Sequence, residues 1–144
     1  MDALDLRRRA EELYRSGQFL CSEAIVYAFN EALGNRFPPE VVRLASGFPI
    51  GMGAVGTGGC VCGALAGGIM VLGMIHGRSN PGDKAPLILQ KAKELHDWFE
   101  STKHATCCRV LIHDLEFGSP THIDQCVSLT GDVAEYLTHM IDGK

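Results

Sequence analysis

Cys62-Gly63-Ala64-Leu65-Ala66-Gly67-Gly68-Ile69-Met70-Val71-Leu72-Gly73-Met74-Ile75-His76 is the stretch on which the fold turns. It carries no charge before its final histidine and shows no two-residue alternation, so its pattern is that of a helix, not a strand. A helix that is apolar all round must be wrapped by other elements. The apolar run from Ala64 to Ile75 is well short of the roughly 20 residues that a bilayer span needs. The wrapping therefore has to come from the protein itself. Gly63 and Gly67 fall on one face of this helix, where they allow a neighbouring helix to approach closely.

Outward from this centre every further segment also reads as helical. On the N-terminal side, residues 3–16 place Leu6, Ala10, Leu13 and Tyr14 on one face and stop at Gly17. Residues 21–33 place Cys21, Ala24, Ile25, Ala28 and Ala32 on one stripe and stop at Gly34. Pro38-Pro39-Glu40 opens a short third helix ending at Ser46-Gly47. A glycine-rich loop then runs from Gly47 to Gly59, a backbone free to take positive φ or to approach another group. On the C-terminal side Asn80-Pro81-Gly82-Asp83 is a turn, and residues 84–103 form a helix with Ile88, Ala92, Leu95 and Phe99 inward. A sixth helix starts near Cys107 and carries Cys108, Leu111, Ile112 and Leu115 until Gly118-Ser119-Pro120 breaks it. The last helix, 122–141, buries Cys126, Val133, Leu137 and Met140. The expected fold is all-α: one domain over 1–144, a bundle of six to seven helices around a Gly/Ala-rich central helix.

Composition narrows the function. The 144 residues are 46% hydrophobic and 21% charged with a net charge of −4, a balance suited to a soluble protein and unsuited to nucleic acid. Arg7-Arg8-Arg9, the one basic run, lies among Asp2, Asp5, Glu11 and Glu12 and reads as a solvated helix face. Neither a targeting segment nor a membrane span is legible, so a cytoplasmic location is expected. Phe19 and Phe37 are expected at the surface, where they would serve a homodimer.

The six cysteines carry the chemical signal. In a reducing compartment a structural disulfide is not expected, which leaves core filler, metal ligands or redox thiols. Cys21, Cys62 and Cys108 fall at helix starts and Cys126 near the start of the last helix. Helix N-termini offer free N–H groups and partial positive charge, which favour thiolate and lower a thiol pKa. Taken singly, each of these cysteines is as easily a small buried hydrophobe. Together, with Cys21, Cys108 and Cys126 on apolar stripes, they point toward one centre at Cys62. Cys60-Val61-Cys62 is C-x-C, so the paired C-x-x-C zinc patterns and ferredoxin loops are absent. A shared site would have to be assembled from distant segments.

Cys62-Gly63-Ala64-Leu65-Ala66-Gly67 resembles the CGAxxG element of the C_GCAxxG_C_C family of redox-active proteins. Cys21-Ser22-Glu23-Ala24 is similar to its upstream element, Cys108-Arg109-Val110-Leu111 to its third, and Cys126 to its fourth. A related module occurs in split-Soret cytochromes, where the resemblance implies an iron–sulfur cluster; no C-x-x-C-H haem site is present here. Cys60 and Cys107 lie outside the four-cysteine pattern and are read as resolving thiols or incidental. The resemblance implies a [2Fe–2S] cluster held by Cys21, Cys62, Cys108 and Cys126, acting in electron transfer or redox sensing with a partner protein. Gly58, Gly59 and Gly63 would supply backbone N–H donors to its sulfurs.

Two alternatives stay open. In the first, Cys62 is a low-pKa catalytic thiol that cycles through a disulfide. In the second, zinc or packing alone stabilises a scaffold, with ligands from His76, His96, His104, His113, His122 or His139, most of them expected at the surface or at caps. Gly51-Met52-Gly53-Ala54-Val55-Gly56 matches G-x-G-x-x-G but lacks the preceding strand that dinucleotide binding requires. No Ser-His-Asp arrangement suggests hydrolysis.

Overall fold

Asp2 starts the first helix, α1 (Ala3–Arg15), by accepting the Asp5 N–H at 3.0 Å in the computed structural model, which describes residues 1–143. Among these residues there is no strand. Leu6, Ala10 and Leu13 of α1 enter the core as the periodicity implies. Gly17, at φ +78°, turns the chain toward α2 (Cys21–Ala32), where Glu23 reaches back to the Leu20 N–H at 3.1 Å. The single stripe expected on α2 is too narrow. Ser22, Val26, Phe29 and Asn30 are buried as well, whereas Ala32 is exposed. The cause is position: α2 packs against α1, the central helix and the last helix together.

The third expected helix is a 3₁₀ helix, Pro39–Ala45, tied to α2 by the Ser22 hydroxyl donating to the Ala45 carbonyl at 2.8 Å. The glycine-rich loop holds a short element, α3 (Pro49–Gly53), whose Ile50, Gly51 and Met52 have φ of +62°, +61° and +63°. This is a left-handed turn, uncommon for any residue but glycine and most of all for a β-branched one. Gly51 and Gly59 pack backbone to backbone, with no room for a Cβ on either.

The central helix is α4 (Gly63–His76). Its first six residues, Gly63 to Gly68, are all buried, while the turn from Gly73 to His76 is only half-buried. Gly67 does bring a neighbour close: an added Cβ would lie 2.9 Å from the Ser22 backbone. Gly68 faces Leu95 and Val133. These belong to α5 (Pro86–Lys103) and α7 (Pro120–Asp142). The sixth helix, α6 (Cys108–Leu111), stops short of the expected Leu115. Its carbonyls are taken by side chains: Val110 O contacts His113 Nδ1 at 2.7 Å, and Leu111 O accepts from Gln125 at 2.6 Å. Ser119 caps α7 by accepting the His122 N–H at 3.2 Å.

One core joins these helices, with Phe29, Phe99, Ile25, Leu72, Leu95 and Leu137 fully buried. Each such side chain contributes about 1.5–3 kcal/mol of transfer free energy. Of the basic run, Arg8 is exposed as a solvated face implies, but Arg7 is half-buried. Its guanidinium joins Glu11 (3.0 Å), Asp132 (2.6 Å) and Glu135 (2.8 Å), and Lys103 meets Asp132 from α5 at 2.5 Å. The hydrogen bond to Glu135 is the main reason its pKa is raised above the ordinary arginine value. Phe19 and Phe37 also depart from expectation. Both are half-buried, Phe19 against Tyr27 with ring centroids 4.9 Å apart. Among the described residues no helix is long and apolar enough to cross a membrane.

Candidate functional site

The start of α4 forms the floor of the site. Cys62 is its N-cap residue, with the backbone N–H groups of Ala64 and Leu65 beside its sulfur. Cys21 is the first residue of α2 and Cys108 the first of α6, while Cys126 lies in the second turn of α7. All four are unpaired thiols, and all four line one cavity of about 210 Å³. The convergence expected from the helix starts is therefore present. Gly63 also lines the cavity, and its part is steric: a Cβ there would collide with the Cys21 sulfur.

Gly58 and Gly59 lie elsewhere. They do not line the cavity, and their N–H groups are committed to Ala54 O at 2.8 Å and Ile50 O at 3.1 Å. Gly58 packs instead against the backbone of Arg109, which is why it can carry no side chain.

The walls are almost wholly apolar, including Ile50 from the left-handed turn, Leu111, Phe117 and Leu129. Two polar groups reach in. The Tyr14 hydroxyl, from the last turn of α1, faces the Cys126 sulfur. His122 is buried, its Nδ1 accepting the Gly118 N–H at 2.9 Å, so the neutral ring carries its proton on Nε2. Burial lowers its pKa and favours that neutral form. Of the six histidines only His122 lines this cavity; His104 caps α5 in a left-handed conformation, and His96 bonds to Asp97 at 3.0 Å. Sequence reasoning placed Tyr14 in the core but not at the site. Its signal was position, since it lies one turn from Gly17 and just ahead of Cys21.

Electrostatics runs opposite to the expectation from helix starts. Burial pushes the Cys62 thiol up to about 11, outweighing the two backbone donors that pull it down. Burial, reinforced by Cys62 and Cys108, pushes Cys126 up to about 12 against the Tyr14 hydroxyl. Cys21 and Cys108 are raised for the same leading reason. Without a cation the cavity thus holds neutral thiols. Among the described residues no three His, Cys, Asp or Glu side chains converge tightly enough to hold a single metal ion.

The remaining two cysteines overturn the expectation that no disulfide would form. Cys60 and Cys107 are bonded to each other, S–S 2.01 Å, across a sequence separation of 47. The bridge lies between two backbone hydrogen bonds, Cys62 N–H to Thr106 O at 2.6 Å and Arg109 N–H to Gly59 O at 3.0 Å. It joins the segments that lead into Cys62 and Cys108, and it is not part of the cavity wall.

A family model described as "Putative redox-active protein (C_GCAxxG_C_C)" matches residues 19–140, a span that contains all four cavity cysteines. No curated protein and no solved structure matches the chain.

Proposed function

The chain belongs to the C_GCAxxG_C_C family of redox-active proteins, and from that premise we propose that Cys21, Cys62, Cys108 and Cys126 hold an iron–sulfur cluster, [2Fe–2S] in form. The observation that carries this reading is the meeting of four unpaired thiols, from four separate helices, at one apolar cavity. The cavity has a volume of about 210 Å³ and a lining that is almost wholly apolar. A lone zinc ion needs its sulfurs at about 2.3 Å from one point. No group of the described residues converges in that way. A polynuclear cluster instead spreads its ligands over its own width, as a ring of thiols around a cavity would.

The surroundings suit such a group. Ala64 and Leu65 N–H groups near Cys62, the Ser22 N–H near Cys21 and the Tyr14 hydroxyl near Cys126 are the donors available to thiolate sulfur. Apolar walls exclude water and preserve the strength of those bonds. When bound, the cluster supplies a one-electron couple for electron transfer or redox sensing. Binding it requires the four thiols to lose their protons, which their raised pKa values resist until iron supplies the opposing charge.

The test is anaerobic reconstitution with ferrous iron and sulfide, followed by the visible spectrum and assays of iron and acid-labile sulfide. Charge-transfer absorption with equal iron and sulfide, about two of each per chain, is the expected result for this cluster type. A colourless product without iron overturns the reading. A low-pKa Cys62 cycling through a disulfide has less support, since burial holds its thiol near 11.

A further inference from the structure

The Cys60–Cys107 bridge serves no purpose in the cluster reading, and its placement is not that of a core staple. Cys60 is exposed and Cys107 half-buried, so the bridge lies at the protein surface. Each cysteine is close in sequence to a cavity cysteine: one residue separates Cys60 from Cys62, and none separates Cys107 from Cys108. The bond and its two flanking backbone hydrogen bonds clamp segment 59–62 to segment 106–109. The second segment needs that clamp. Cys108 sits on a helix of four residues, too short to hold itself, which Gln125 joins to α7 through Leu111 O and the Arg109 side chain joins to Gly58 O. Cys126, by contrast, is carried on a helix of 23 residues.

We propose that Cys60–Cys107 is a thiol–disulfide exchange site for a dithiol redox protein, and that its state sets how firmly Cys108 is held at the cavity. The partner's thiolate attacks the sulfur of Cys60, the more exposed of the two residues, the bond to Cys107 breaks, and Cys107 leaves as a thiolate that takes a proton from water. The partner's second thiolate then attacks its own sulfur in the mixed disulfide and releases Cys60, which is protonated in turn. Two electrons pass to this chain, and the partner ends as a disulfide. With the clamp open, α6 is held by non-covalent contacts alone, and Cys108 becomes the most easily displaced of the four thiols.

The experiment uses the full-length, metal-free protein, so it stands or falls apart from the cluster reading. The first probe is a C-x-x-C dithiol oxidoreductase whose resolving cysteine is replaced by serine. A covalent adduct that maps to Cys60, and is lost in Cys60→Ser, is expected. In the second arm dithiothreitol is added without denaturant and alkylation is followed by mass spectrometry. Cys108 labelling is expected to rise about tenfold while Cys126 labelling stays constant. A bond that resists dithiothreitol until the protein unfolds, an adduct at Cys107, or unchanged Cys108 labelling overturns the proposal. Because the second arm uses unaltered protein, poor folding of a variant cannot mask the answer.

Discussion

At Gly63 a hydrogen stands where any other residue would drive a methyl group into the Cys21 sulfur. The same added carbon would lie 3.1 Å from Pro49 Cα and 3.2 Å from Phe48 O, so it has no free direction in which to relax. Gly63→Ala is therefore expected to destabilise the metal-free protein by about 1–3 kcal/mol. By displacing Cys21, it should also lower the iron retained after reconstitution. Urea denaturation and iron analysis of the same preparation check both halves, and wild-type iron content in a folded Gly63→Ala protein would break the link between Gly63 and the thiol. The four cavity thiols were legible as residues because helix starts and apolar stripes are local features. The partners of Cys60 and of Tyr14 were not legible, since a bond across 47 residues and a hydroxyl meeting a sulfur on another helix exist only once the chain has folded. Local features also misjudged the thiol pKa values. A helix start can be read from sequence, but the burial that outweighs it cannot.

Two glycines of α4 separate the demands of packing from those of helix formation. Gly67 lies against α2, where an added Cβ would be 2.9 Å from both Cα and O of Ser22, backbone atoms that cannot swing aside. Gly73, six residues further on, has nothing within 4 Å of an added Cβ. Gly67→Ala is accordingly expected to cost about 1–3 kcal/mol by pushing α2 from α4. Gly73→Ala should stabilise by about 0.5–1 kcal/mol through helix propensity alone. Thermal or urea unfolding of the two variants side by side checks the opposite signs; equal effects would mean that the α2–α4 approach is not set by Gly67. The long helices α1, α2, α5 and α7 were readable because apolar periodicity runs through each and a glycine or a proline-containing turn bounds it. Two short elements were not. The left-handed turn of α3 puts Ile50 and Met52 where side-chain preference would not, and α6 ends early because His113 and Gln125 engage its carbonyls.

For the whole molecule, the four cavity thiols make stability depend on pH in a way that reports on what the cavity holds. In the metal-free protein Cys62 is pushed from 9.0 up to about 11 and Cys126 from 9.0 up to about 12, burial being the leading cause for both. Below pH 9 both thiols are protonated in the folded and the unfolded chain, so their contribution is fully present. As pH rises past 9, the unfolded chain releases these protons first and unfolding gains free energy. At roughly 1.4 kcal/mol per unit of separation, Cys62 alone accounts for a loss of about 3 kcal/mol by the time its folded pKa is reached. Cys126 adds less than its full share, because Cys62 and Cys108 help to raise it and such coupled thiols titrate together. The metal-free, anaerobic protein should thus hold a constant urea midpoint from about pH 7 to 9 and lose it steeply by about 10.5. Cys62→Ala should flatten that fall. Loaded protein should behave differently, because ligand thiols are already deprotonated: it should pass pH 9 without the loss and weaken instead toward acid, where protons compete for sulfur. Equal alkaline loss in reconstituted and metal-free samples would mean that the thiols remain protonated after reconstitution, and that they are not the ligands.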